Sequence, residues 1–162
     1  MSSEMDLARV SLLFHIHTYS LSRALSEVLG EGQVVLINNY AKAFLDMTRI
    51  SGFKLESMDA YISSLKDMRF LKGCKLNWPS EQEAEFVVEK CYLASLIHKP
   101  LNMAGYTGDL CPLAVIAMVV LAVERGWKPG ENLFDYVRFS EKLSYFTEDG
   151  TKTKFQICKK SE

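Results

Sequence analysis

Cys111 is the residue whose type and setting most clearly suggest chemistry. It directly precedes Pro112, and proline is favoured in the first turn of a helix because its missing N–H would lack a partner there anyway. This spacing predicts that Cys111 lies at a helix start, where free N–H groups and the positive end of the helix dipole lower the pKa of a thiol. A thiolate attacks electrophiles and binds soft metals. The more common alternative is a small buried residue without reactivity.

Cys74, Cys91 and His98 could act together with Cys111. Cys91 and His98 would share a face if they belonged to one continuous helix, whereas a strand ending near Cys91 would remove that relation. Thiolates and imidazole are suitable zinc ligands, so Cys74, Cys91 and Cys111 form a candidate metal set, although no Cys-x-x-Cys pair occurs. No strong motif identifies a cofactor, and zinc and haem both stay open. If Cys111 were instead a nucleophile, His98 or His17 would serve as its base.

Apolar residues suggest a different use of the same region. A helix predicted over 5–29 carries Phe14 and His17 on its apolar face. His17 would be either a polar contact inside a ligand cavity or a core histidine with one hydrogen bond. Aromatic residues crowd the end of the chain, Phe139 among them, and they would either wall an apolar ligand site or pack as core.

Composition excludes several classes of function. The net charge is −1 and no long run of Lys or Arg occurs, so we expect no nucleic-acid binding. The acidic start of the chain is unlike a secretory signal, and the apolar run Leu113–Val123, at about eleven residues, is shorter than the roughly 20 that span a bilayer. We therefore expect a cytoplasmic protein with free thiols. The glycines at 30 and 32 follow a helix and lack the third glycine of a dinucleotide-binding loop.

The pattern of elements predicts one α+β domain over residues 1–162. We expect N-terminal helices packed on a small antiparallel sheet of about four strands, with a central buried helix. The stretch 84–92 reads as helix or strand, and we favour the strand because it gives the preceding strand a hairpin partner. The predicted helices are 5–29, 34–49, 57–66 and 111–125; the predicted strands are 68–76, 84–92, 133–145 and 154–159; and the predicted turns are 78–80, 128–130 and 148–150.

This order of elements resembles the four-vinyl-reductase type of small-ligand-binding domain over roughly residues 20–158. The matching features are Leu25-x-x-x-Leu29-Gly30-Glu31-Gly32, Lys90-Cys91 after the second strand, and the ending Gly150-Thr151-Lys152-Thr153-Lys154-Phe155-Gln156-Ile157. The resemblance implies an apolar ligand enclosed between helices and sheet, and some members of that family bind zinc through cysteines. The family often ends in Gly-x-x-Cys-x-Phe, and this chain has Thr153 or Lys154 in place of that cysteine.

Residues 88–157 are also similar to the aminothiazoline-carboxylate hydrolases. That resemblance rests on Lys90-Cys91, on the helix begun by Cys111 and on the glycine-to-phenylalanine ending. Those hydrolases commonly place an Asp soon after the helix cysteine, whereas here Asp109 precedes it.

Three functions follow from these observations. The leading hypothesis is a module that binds an apolar or aromatic small molecule through His17, Phe14, Cys91, Cys111 and Phe139. The alternative is a thiol-dependent hydrolase that acts through Cys111 and His98. The third is a homodimeric structural or interaction protein, since dimers are the commonest soluble oligomers.

Overall fold

The N-terminal helices form where apolar residues recur at helical spacing. In a computed structural model, helix α1 spans Gln33–Ile50 and buries Ile37 and Ala41. Helix α2 spans Met58–Asp67, and the Ser57 hydroxyl accepts the N–H of Ala60 at 3.2 Å, as a helix-capping serine does. Both helices were predicted from the sequence, and both predictions are confirmed.

The structure describes residues 33–50, 55–67, 71–92, 111–140 and 144–158, and single residues at 13, 16, 17, 20, 21, 94, 98, 102, 103 and 105. Most of the helix predicted over 5–29 lies outside the described residues. The five residues described there have helical backbone.

A hairpin follows the helices and settles the ambiguous stretch 84–92. Strand β1 spans Gly73–Ser80 and pairs antiparallel with β2, which spans Glu83–Glu89. The strand prediction for this stretch is confirmed. The turn predicted at Trp78-Pro79-Ser80 is wrong, because those residues belong to β1 and the chain turns at 81–82. Pro79 is tolerated because β1 is an edge strand and the register shifts between Asn77 and Ser80.

The C-terminal strands are shorter and more broken than the sequence predicts. In place of one strand over 133–145, a 3-10 helix at Leu133–Asp135 is followed by strands β3, Val137–Phe139, and β4, Tyr145–Phe146. Two side chains hold this turn: Asn132 accepts the N–H of Phe134, and Asn38 of α1 accepts the N–H of Leu133 at 2.8 Å. Strand β5 spans Thr151–Ile157, longer at its start than predicted.

The five described strands form one antiparallel sheet in the order β1-β2-β5-β3, with β4 also paired to β5. Strand β5 is the centre, since it pairs with β2 on one edge and with β3 and β4 in succession on the other. Its residues alternate between buried and exposed, so one face of the sheet is covered. The α+β architecture predicted from the sequence is confirmed, with five strands in place of about four.

Helix α3, Pro112–Glu124, lies against this covered face and begins where the sequence predicts. Eight of its thirteen residues are buried, among them all of those from Ala117 to Ala122, so its central turns are buried on every side, as in a central helix. The sheet and the helices share one hydrophobic core. Within the described part of the chain, no helix combines the length and the apolar character of a membrane span.

Candidate functional site: a buried thiol and hydroxyl cluster at the start of helix α3

Cys111 is the N-cap residue of α3, and its side chain is only 4% exposed. Its N–H donates to the Ser144 hydroxyl at 3.4 Å, and that hydroxyl hydrogen-bonds Thr153 on β5 at 2.7 Å. The start of the helix is thereby tied to the centre of the sheet. Thr151 lies on the same face of β5 as Thr153, two residues earlier. We call Cys111, Ser144, Thr151 and Thr153 the Cys111 cluster.

The Cys111 thiol is buried at the helix start, and its pKa is raised rather than lowered. Burial raises the pKa of Cys111 above its usual range, while the Thr151 hydroxyl and the N–H groups of Ala114 and Leu113 lower it less. The first turn of the helix therefore offsets the effect of burial only in part. Cys111 is therefore a poor nucleophile in this state.

Cys74 lies on the same inner face of the sheet as the cluster. It is the register partner of Val88 on β2, and Val88 is the partner of Thr151 on β5, so two strand spacings separate Cys74 from Thr151, about 10 Å. Burial raises the pKa of Cys74 to about 12, with a smaller opposing effect of Lys66. Tyr61 lies near both thiols, and its pKa is raised by burial and then by Cys111 and Cys74.

Cys91 is held at the end of the sheet by an irregular backbone. Lys90 before it has a left-handed φ of 52°, and the Cys91 N–H then donates to the carbonyl of Asp149 at 2.7 Å. The neighbouring Gly150 is required, because a Cβ there would lie 1.9 Å from the carbonyl oxygen of Val88. The Cys91 side chain is buried.

His98 packs against the same end of the sheet, and its side chain is 1% exposed. Its ring stacks on Phe146 of β4 with 4.1 Å between centroids, and Nδ1 lies 3.3 Å from the carbonyl of Thr147. Burial lowers the pKa of His98, and the carbonyls of Thr147 and Gly150 oppose that effect. Because a carbonyl only accepts, Nδ1 carries the proton, and the neutral ring leaves Nε2 as an acceptor.

Two buried polar atoms in this region make no hydrogen bond to a nitrogen or oxygen atom within the described part of the chain. They are Nε2 of His98 and Oγ1 of Thr151. Thr151 is the register partner of Phe146, on which the His98 ring stacks. Both residues therefore adjoin Phe146, at one end of the sheet. Unpaired buried polar groups are rare in proteins and call for a bound group or water.

The structure brings the predicted thiols and His98 to one end of the sheet, but it gathers no metal site there. Among the described residues, no three His, Cys, Asp or Glu side chains form a group that could hold a metal ion. The metal set predicted at Cys74, Cys91 and Cys111 is thus not assembled in this part of the chain.

The structure brings no other predicted site residue of its described part into the Cys111 cluster. Phe139 is half-buried and packs on Phe155, with 5.5 Å between ring centroids. Phe155 is four residues along β5 from Thr151 and so about 13 Å away from it. His17 is exposed. Phe14 lies outside the described residues.

Sequence reasoning missed the three hydroxyl residues of the cluster. Thr151 and Thr153 alternate with Lys152 and Lys154, and this alternation is typical of a strand whose threonines face inward. Ser144 carries no comparable signal, because it lies just before the two-residue strand β4.

An open groove lies at the opposite end of α3. It has a volume of about 870 Å³ and its lining includes Trp78, Arg125 and Tyr136. The Arg125 guanidinium lies over the Trp78 ring, 5.4 Å from its centroid. A helix of this length places the groove about 20 Å from Cys111, so the groove is separate from the Cys111 cluster.

Comparisons with protein-family models, with curated proteins and with solved structures found no match to this chain.

Proposed function

We propose that this protein binds an apolar or aromatic small molecule beside the Cys111 cluster. The observation that carries the proposal is a pair of buried polar atoms, Nε2 of His98 and Oγ1 of Thr151, which have no nitrogen or oxygen partner among the described residues. An unsatisfied buried polar group costs about 1–3 kcal/mol, so a ligand that supplies partners for both is favoured. Apolar sites with a few convergent polar groups are typical of small-molecule binding.

The two atoms define which polar group the ligand carries. Nε2 of His98 accepts a hydrogen bond, and a threonine hydroxyl both donates and accepts. A ligand hydroxyl satisfies both, because it donates to His98 and accepts from Thr151. The surrounding Phe146 ring and the buried Cys91 and Cys111 thiols suit an apolar or aromatic body.

The test compares 1-naphthol with naphthalene, which have the same aromatic body with and without the hydroxyl. We expect 1-naphthol to raise the melting temperature more, and native mass spectrometry to detect one bound molecule per chain. His98→Phe keeps a ring to stack on Phe146 and removes Nε2, so it is expected to abolish the preference for 1-naphthol. His17→Phe is the matched control, since His17 is exposed. Equal shifts with both compounds in the unmodified protein would contradict the role of these atoms.

The hydrolase hypothesis is less well supported. It needs a thiolate at Cys111 and a base that accepts its proton, but burial raises the pKa of Cys111, and the groups that influence it are Thr151, Ala114 and Leu113. His98 is held by Thr147 and Phe146.

A second function is favoured by a separate observation. We propose that the chain also self-associates as a homodimer, because α1 exposes several large apolar side chains. They are Val35, Leu36, Tyr40, Met47 and Ile50. Extended apolar surface on a folded protein marks an interaction site. Sedimentation equilibrium tests this, and a monomer at micromolar concentration would rule it out.

A further inference from the structure

The exposed apolar side chains of α1 form a regular stripe. Leu36, Tyr40, Met47 and Ile50 are 37%, 40%, 61% and 80% exposed, and the exposed Ala43 lies between them. Their spacing along the chain is four, three, four and three residues. This is the heptad spacing of residues that pack against another helix.

The stripe is distinct from the face that α1 turns to its own core. Ile37 and Ala41 are buried, and they lie roughly 100–140° around the helix from Leu36, at 100° per residue. The remaining polar side is narrow. The core therefore uses one apolar face of α1, and a second apolar face is left in solvent.

We infer that α1 pairs antiparallel with α1 of a second copy of this chain, across a two-fold axis at Ala43. The inference rests on the homodimer proposed above and names its surface and register. About Ala43, the stripe is nearly self-complementary: Leu36 meets Ile50 of the second copy, and Tyr40 meets its Met47. A two-fold interface needs such self-complementarity, and the small Ala43 at the axis permits close approach of the two helices.

The polar flank fits the same arrangement. Asn39 and Asp46 lie on one side of the stripe, at positions that face each other across an antiparallel pair. An amide opposite a carboxylate gives a hydrogen bond, with no like charges in contact. A parallel pair would instead place each Asn39 near Phe44 of the second copy.

The first experiment measures the dissociation constant by sedimentation equilibrium. Met47→Lys is expected to weaken the dimer by roughly 100-fold, because it buries a charge at the centre of the interface. Val35→Lys is the matched control, since Val35 is 64% exposed on the same helix but lies about 100° away from the stripe. Circular dichroism checks that both variants fold. A monomeric unmodified protein would overturn both the dimer and this inference, whereas a dimer equally insensitive to both variants would overturn this inference alone.

The second experiment tests the antiparallel register by disulfide trapping. Leu36→Cys and Ile50→Cys are made separately in a Cys158→Ser background, because Cys158 is the half-exposed thiol among the four cysteines. When the two variants are mixed and oxidised, an antiparallel pair yields the mixed disulfide. Disulfides that form only between identical variants, or none at all in a dimeric sample, would overturn the register.

Discussion

Replacing Thr151 by valine should stabilise the ligand-free protein, although it removes a buried hydroxyl. Oγ1 of Thr151 has no nitrogen or oxygen partner within the described residues, only the weakly bonding Cys111 thiol, and Thr151 is 2% exposed. Valine has nearly the same shape and replaces the hydroxyl with a methyl group. The substitution therefore removes a desolvated polar group without opening a cavity.

The size of the effect follows from the cost of the unpaired group. Such a group costs about 1–3 kcal/mol, and part of this is offset by the favourable effect of the hydroxyl on the Cys111 thiol. We expect the free energy of unfolding to rise by about 1 kcal/mol, which corresponds to a melting temperature about 2–4 °C higher for a chain of this size. The same substitution should reduce the shift produced by 1-naphthol, because a ligand partner is lost.

Thr153→Val provides the matched comparison on the same strand and face. The Thr153 hydroxyl bonds Ser144 at 2.7 Å, so its loss should lower the free energy of unfolding by about 1–2 kcal/mol. Urea unfolding of both variants, monitored by far-ultraviolet circular dichroism, measures the two changes. The reasoning about the site is refuted if Thr151→Val destabilises the protein as much as Thr153→Val does.

Three further predictions concern the same end of the sheet. Gly150→Ala should destabilise the protein by about 2–4 kcal/mol in urea unfolding, because the new Cβ meets the backbone of Val88. Gly73→Ala is the control, since its new Cβ meets only side-chain atoms of Glu89. An equal loss of stability in both variants would contradict this explanation. Burial lowers the pKa of His98, so below about pH 6.5 the unfolded chain binds a proton that the folded chain does not. The free energy of unfolding should therefore decrease as the pH is lowered below this value. His98→Phe should flatten that dependence, and an unchanged slope would count against it. Iodoacetamide at pH 8 should alkylate Cys158 in the folded protein well before Cys111, as peptide mass spectrometry can measure, and comparable rates would show that Cys111 is not protected.

The elements that the sequence predicts correctly are those with a strong periodic pattern. The helices near 34–49, 57–66 and 111–125 carry either an apolar stripe or a long apolar run, and packing then agrees with the local preference. The failures lie where a tertiary contact decides the backbone. The turn at Leu133 is capped locally by the Asn132 side chain, but the Asn38 side chain of α1 that accepts the Leu133 N–H is 95 residues away, and no local pattern contains that second contact.

Residue type singles out members of the candidate region in the sequence, but it does not reveal their hydrogen-bond partners. Cys91, Cys111 and His98 stand out by residue type, and the structure brings all three to one end of the sheet. Their partners come from the β4–β5 hairpin, where Thr147 and Asp149 use backbone carbonyls to hold His98 and Cys91. A backbone carbonyl is present at every residue, so its role cannot be inferred from residue type.

Cys111 shows why position on a helix does not by itself determine reactivity. The positive end of a helix dipole favours a charged group by typically 0.3–1 kcal/mol, and by about 2 kcal/mol in favourable buried geometries. Complete burial shifts a pKa by as much as 3–5 units, and each unit corresponds to about 1.4 kcal/mol. Because Cys111 is only 4% exposed, the effect of burial exceeds that of the dipole and of the first-turn N–H groups, and the pKa of the thiol is raised. A neutral thiol beside the Thr151 hydroxyl suits the wall of a ligand site better than the attack of a nucleophile.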